Sequence, residues 1–323
     1  IKLARTHGIA KGGDKKIGIV GADRSFHGRT LASQMTGGIP GQKDWIVNLD
    51  PAIVQVPWPD GYWTEDTSFD LFLKTLEERG MSPENVAGVM FETFQGVGPD
   101  FAPVEYIREL RQWCDANEVV LIFDEVQAGF GRTGKLFAFE HYGIVPDLVP
   151  CGKGISSSLP LSAVIGSERY MDLYGPGEMT STHTGSPLPS VAALASLEAI
   201  LEEGMIQNAA ATGEYLLGAL QEIAAPYNER VEVGGVGLGA ALLFFDNRQS
   251  LTPDPQAAFE FCEKCFQRGN LLFAPVGKGY GANKFCPPLS ITREAIDDGL
   301  YGPGGIKETL HDVMGSRVVG ATT

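Results

Sequence analysis

The chain has 323 residues, 43% of them apolar and 20% charged, a globular balance that excludes disordered, collagenous and coiled-coil chains. Acidic residues number 40 against 25 Lys and Arg, and the net charge of −15 would repel a phosphate backbone, so nucleic acid is not an expected partner. The longest apolar run, Ala240 to Phe245, is far short of the roughly 20 residues of a membrane helix, and five irregularly spaced cysteines fit reduced thiols in the cytoplasm.

Glycine is abundant at 41 residues and falls in aperiodic clusters, which implies many tight turns. The chain opens IKLARTHG, without Met, on what reads as the last turn of a helix, so an upstream segment is expected. Short apolar runs bounded by turn residues predict buried strands at Ile17–Gly21, Ala87–Glu92, Val119–Val126, Asp147–Cys151 and Ser162–Gly166. Amphipathic patterns between them predict helices over Ser68–Gly80 and Val104–Asn117, the second opening after Pro103. This alternation predicts an α/β fold, a mostly parallel sheet covered by helices, with ligands at the carboxyl ends of the strands.

A long helix over Ser190–Gly204 reads as a connector. Beyond it the pattern predicts a helix over Gln207–Ala225, glycine-broken strands in Val231–Phe245, a helix over Pro255–Gly269, a short strand at Leu271–Pro275 and a terminal helix near Arg293–Met314. The expected division is therefore residues 1–204, a cofactor-binding large domain with its connecting helix and short of its N-terminal part, and 205–323, a small C-terminal α+β domain. The tail Ser316–Thr323 is expected to fray.

The chemistry concentrates in Leu121–Ser167. Asp124 ends an apolar run, where a carboxylate needs a cationic partner. Lys153 follows the next run between Gly152 and Gly154, which delivers its amine to the same edge of the sheet. A partly desolvated lysine so placed is a nucleophile toward carbonyl carbon, and an acid with an amine suits a pyridine aldehyde cofactor; an ordinary strand-end ion pair is the alternative. Cys262 and Cys265 fall at helical spacing on the face of Ala258 and Phe266, which favours core packing over zinc. The other three cysteines read as buried, and no metal is expected at His27, His141 and His183.

On FHGRT (Phe26–Thr30), IFDEVQAGFGRTGK, CGKGISSSLPLSAVIG and CPPLSIT (Cys286–Thr292), the sequence resembles the class-III pyridoxal-phosphate aminotransferases, the family of the ornithine, acetylornithine and 4-aminobutyrate enzymes and dialkylglycine decarboxylase. The resemblance implies aminotransferase fold type I, pyridoxal 5'-phosphate as cofactor, and transfer of an amino group from an amino acid or ω-amine donor to a 2-oxo acid. It also implies that Lys153 forms the Schiff base and acts as the base, that Asp124 pairs with the ring nitrogen, and that Gln127 bonds the phenolic oxygen. Val126, two positions beyond Asp124 and so on the same strand face, would pack under the ring, and Phe26 would stack above it, with His27 in the same cofactor loop. Arg29 would bind a substrate carboxylate, with Glu92 and Lys284 as further substrate contacts. Thr182, five residues before Pro187, would reach the cofactor phosphate of the other subunit, which implies a homodimer or a multiple of it with a shared active site.

Two departures bear on substrate. Glu92-Thr93 stands where the family usually has glutamate-proline, and Val97 and Lys284 stand where the 4-aminobutyrate-type enzymes have a glutamate and an arginine. Valine has no charge and lysine no planar fork, so the family's dicarboxylate gate is altered and pyruvate becomes a more plausible acceptor than 2-oxoglutarate. Decarboxylation, racemisation or aminomutase chemistry on the same cofactor is the alternative. From another class, a non-catalytic binding domain with this fold is disfavoured by intact Lys153, Asp124, Gln127 and Arg29.

Overall fold

A computed structural model describes residues 1–61, 63–96, 98 and 100–319. The chain forms two compact units. The first comprises Ile1–Gln95, Phe101–Phe130 and Phe137–Ile200; the second takes in Gly96–Asp100, Gly131–Leu136 and the chain from Leu201 on.

The first unit runs α1 (Lys2–Gly12), β1 (Gly18–Ala22), α2 (Leu31–Thr36), β2 (Ile53–Val56), α3 (Phe69–Glu78), β3 (Val86–Glu92), α4 (Val104–Ala116), β4 (Val120–Asp124), β5 (Leu148–Cys151), β6 (Ala163–Gly166), α5 (Glu168–Met171) and α6 (Pro187–Glu202). Its sheet has the order β2-β1-β3-β4-β5-β6. All pairs are parallel except β5 with the edge strand β6, which is antiparallel. Alternation along β4 shows why the strand reads as one apolar run: Leu121 and Phe123 pack in the cluster that includes Phe72 of α3 and Ile107 of α4, while Val120 and Ile122 pack with Ala4 of α1 and Tyr170 of α5. A sheet buried on both faces needs apolar residues at every position.

The second unit runs α7 (Met205–Ala224), β7 (Val231–Val236), β8 (Gly239–Asn247), β9 (Thr252–Pro253), α8 (Pro255–Gln267), β10 (Ala282–Phe285), α9 (Arg293–Tyr301) and α10 (Ile306–Val319). Its antiparallel sheet has the order β10-β8-β7, with β9 also on β8. The core gathers Leu216 and Leu220 of α7, Leu242 and Phe244 of β8, Phe261 of α8 and Leu310 of α10.

Several expectations are corrected here. Leu271–Pro275 is not a strand: β7 and β10 already flank β8, and Leu271 is left 82% exposed. The terminal helix is two, α9 and α10, broken at Gly302-Pro303-Gly304-Gly305, where the proline and the positive φ of Gly304 end a helical run. The opening helix is a full eleven residues. The tail does not fray at Ser316, because Arg317 pairs with Asp254 at 3.2 Å and Glu260 at 3.1 Å, while residues 320–323 lie outside those described. On α8, Cys265 and Ala258 are buried as expected but Phe266 is exposed, and the half-buried Cys262 donates its thiol to the Phe273 carbonyl at 3.3 Å. Cys286 is likewise only half-buried.

Gly213 brings α7 against the β7–β8 turn, since a Cβ there would lie 2.2 Å from the carbonyl carbon of Gly237. Gly218, on the same helix, has open space around it. Gly213→Ala is therefore expected to destabilise by about 2–3 kcal/mol, while Gly218→Ala gains up to about 1 kcal/mol from helix propensity; thermal unfolding of the two variants checks the contrast.

Candidate active site

The parallel register of β3 and β4 sets Glu92 opposite Asp124, so two carboxylates end neighbouring strands at the carboxyl edge of the sheet. Each is only 6% exposed. Glu92 Oε2 accepts the backbone N–H of Phe26 at 2.9 Å, which anchors the FHGRT loop that follows β1. Glu92, expected on substrate, makes this loop contact. The side chain of His27 is fully buried, and its Nδ1 lies 2.8 Å from Asp124 Oδ2. Asp124 Oδ1 accepts the N–H of Val126 at 3.0 Å.

Among the described residues the side chain that meets the Asp124 carboxylate is therefore His27, and the simple Asp124–Lys153 ion pair is not found. Arg29 is exposed, with its guanidinium carbon 5.5 Å from the centroid of the Phe26 ring. Val126 is not on the strand, because β4 ends at Asp124 and residues 126–130 form a turn closed by the Gly129 N–H to Glu125 carbonyl bond of 2.9 Å. Gln127 is half-buried in that turn. The reason is local: the carboxylate of Asp124 takes the N–H of Val126, which a continuing strand would give to its neighbour.

Lys153 follows β5 in a three-residue 3₁₀ turn with φ 45°. It is exposed rather than partly desolvated, in the loop beyond the carboxyl end of β5. Gly152 is buried, and a Cβ there would meet Val126 Cγ1 at 3.3 Å, so glycine permits the two loops to approach. Thr182 is exposed in the turn 182–185 ahead of α6. Lys284 belongs to the second unit, where its Nζ donates to the Gly96 carbonyl at 2.6 Å and lies 5.5 Å from the centroid of the Phe273 ring. Val97 lies outside the described residues.

The residue that the sequence reading passed over is Glu125, fully buried beside Asp124. Its Oε2 accepts the N–H of Ala138 at 3.0 Å, and its Oε1 accepts the N–H of Phe139 at 2.9 Å and the Thr93 hydroxyl at 2.6 Å. Burial pushes its carboxyl above the usual range, and those three hydrogen bonds oppose the rise. Burial also pushes the Cys151 thiol up to about 12. A signal was present in the sequence, since consecutive strand-end carboxylates point to opposite faces and cannot share one cleft.

The donor set suits a protonated heteroaromatic nitrogen. A carboxylate offers about four lone-pair sites, and the two contacts of Asp124 leave acceptor capacity, while the buried Nε2 of His27 has no partner among the described residues. A buried acid after β4 and a glycine-flanked lysine after β5, at the carboxyl ends of neighbouring parallel strands of an α/β sheet, fit the residue types that pyridoxal-phosphate chemistry needs.

Comparison with known proteins takes the second step. The family model for aminotransferase class-III matches residues 1–302. A probable 4-aminobutyrate aminotransferase of Bacillus subtilis is 31% identical over 310 residues, 93% of this chain and 70% of the relative. An alanine/serine racemase of Pyrococcus horikoshii is 32% identical over 313 residues, 91% of this chain and 65% of the relative. Among solved structures, a transaminase from the marine bacterium Virgibacillus superposes with a TM-score of 0.87 at 27% identity, covering 98% of this chain and 72% of that one. The chain belongs to the class-III aminotransferases, pyridoxal-phosphate-dependent enzymes of amino-group transfer.

Glu92→Ala removes the acceptor of the Phe26 N–H. The variant is expected to lose about 1–2 kcal/mol and to show faster amide hydrogen exchange across residues 26–30, with exchange in β4 unchanged.

Proposed function

We propose that this aminotransferase takes its nitrogen from an amino acid or ω-amine donor and delivers it to a monocarboxylic 2-oxo acid such as pyruvate. The observation that carries the site assignment is Asp124, buried at the strand edge with its carboxylate held by His27 and the Val126 N–H. Bound there, pyridoxal phosphate supplies an electron sink for the bond broken at the substrate α-carbon. Asp124 would keep the ring nitrogen protonated, Gln127 would offer a hydrogen bond to the phenolic oxygen, and Val126 and Phe26 would supply apolar contacts to the ring. Lys153 would be the residue that holds the cofactor, and its amine would serve as the base for the proton at the substrate α-carbon. Arg29 binds the substrate carboxylate as a planar fork, and Phe26 supports its guanidinium. Glu92 acts on the substrate indirectly by fixing the loop that carries Arg29.

The preference for a monocarboxylic acceptor rests on valine at 97 and lysine at 284, whose amine already donates to the Gly96 carbonyl. Assembly as a homodimer, with Thr182 serving the partner's site, is supported by an exposed apolar face on α6, where Leu188, Val191 and Leu194 recur at helical spacing. Thiols that are all free fit a cytoplasmic setting. A second reading, racemisation, is favoured by the likeness to the alanine/serine racemase.

The visible absorbance of the cofactor-loaded enzyme is expected to bleach with an amine donor and to return with pyruvate faster than with 2-oxoglutarate. Lys153→Ala is expected to abolish turnover. A faster return with 2-oxoglutarate would overturn the acceptor assignment, and loss of optical activity without oxo acid formation would replace transfer by racemisation.

A further inference from the structure

We propose that Thr93 is a positioning residue for the cofactor site, acting through the buried carboxylate of Glu125 to hold Asp124 and the 126–129 turn in place. The inference rests on the site assigned above and adds a residue that touches neither cofactor nor substrate.

The geometry makes Glu125 the junction of four segments. Its N–H donates to the Pro150 carbonyl of β5 at 3.0 Å, three residues before Lys153. Its own carbonyl closes the turn that presents Val126 and Gln127. One carboxylate oxygen binds the start of the 138–142 turn through Ala138, and the other binds both Phe139 and Thr93. Of these donors only the Thr93 hydroxyl belongs to a side chain, and at 2.6 Å it makes the shortest contact. Thr93 is itself fixed from both sides, since its N–H reaches the Asp124 carbonyl at 3.4 Å and its carbonyl accepts the Tyr142 hydroxyl at 2.8 Å.

The hydroxyl is a donor that favours the ionised carboxylate, and among the described residues no ion pair supports Glu125. The titratable groups acting on Glu125 are Asp124, Tyr142 and Cys151, and none is a cation. Without the hydroxyl, Glu125 would take up a proton at higher pH. A protonated Glu125 accepts the same N–H and O–H donors more weakly and brings a buried O–H that needs an acceptor of its own, so the turn that begins at its carbonyl would loosen. The ionised form has a further effect, because a negative charge next to Asp124 favours the proton on the cofactor ring nitrogen.

Three forms of the protein test this: wild type, Thr93→Val, which keeps the shape and removes the hydroxyl, and Thr93→Ser, which restores it. The folded carboxyl of Glu125 is raised, so its ionised form is less favoured in the fold than in the unfolded chain as pH rises. Removing a donor to that form deepens the deficit only where the carboxyl is ionised. The thermal-unfolding gap between wild type and Thr93→Val, without cofactor, is therefore expected to be larger at pH 8 and to narrow as pH falls through the raised titration of Glu125. In the cofactor titration at pH 8, Thr93→Val is expected to raise the Kd for pyridoxal phosphate about tenfold, with Thr93→Ser within about twofold of wild type.

A gap that does not narrow as pH falls would overturn the link between Thr93 and Glu125. A pH-dependent gap with unchanged cofactor affinity would overturn the link from Glu125 to the site. If Thr93→Val does not fold, Thr93→Ser carries the test, and a serine variant as defective as that would overturn the proposal, because the hydroxyl alone would not suffice. Failure of wild type to bind pyridoxal phosphate would count against the site assignment itself.

Discussion

The structure of the first unit turns on two consecutive carboxylates at the end of a buried parallel strand. Asp124 and Glu125 both lie out of water, where an ionised carboxylate is unfavourable unless donors surround it. Successive residues leave a strand on opposite sides, so each needs its own set of donors. Asp124 draws on His27 and the N–H of Val126, while Glu125 draws on Thr93 and the 138–139 backbone. The loops that satisfy these two groups also carry the candidate site residues. The same hydrogen bonds therefore relieve the buried charge and order the carboxyl end of the sheet.

This arrangement explains how an acidic chain can serve an anionic cofactor and substrates. The net charge of −15 works against anions at long range, but screening limits that effect to about 8 Å at physiological salt. Inside the site, contacts of a few ångströms decide, and the cations there are few and placed singly. Arg29 is carried by a loop held by Glu92, and Lys153 stands between two glycines at the edge of the sheet. Acidic residues thus do much of the positioning, while the basic residues proposed for anion contacts are single side chains.

Much of the site was legible because its residues sit next to turns in sequence. Apolar runs that end in an acid, and a lysine between glycines, can be read without partners, and the alternation of strands with helices gives a parallel sheet. What could not be read depends on partners distant in the chain. A strand was expected at Leu271–Pro275, whereas the segment that pairs with the edge of β8 is Ala282–Phe285, which the sequence pattern did not mark. His27 was visible in FHGRT, yet its contact with Asp124 spans almost a hundred residues. Glu125 was visible too, but a glutamate on a strand end reads as solvated until the 138–142 turn and Thr93 are folded over it.

The sequence by itself determined the order of elements, the two-sided burial of β3 and β4 and the residue types available for pyridoxal chemistry, because these follow from local periodicity and side-chain chemistry. Tertiary structure decided where strand β4 stops, that the partner of Asp124 is a histidine, and that Gly96–Asp100 and Gly131–Leu136 join the unit built by the chain from Leu201 on. Those outcomes rest on hydrogen bonds and packing between residues far apart in the chain, whose geometry exists only once the sheet has formed.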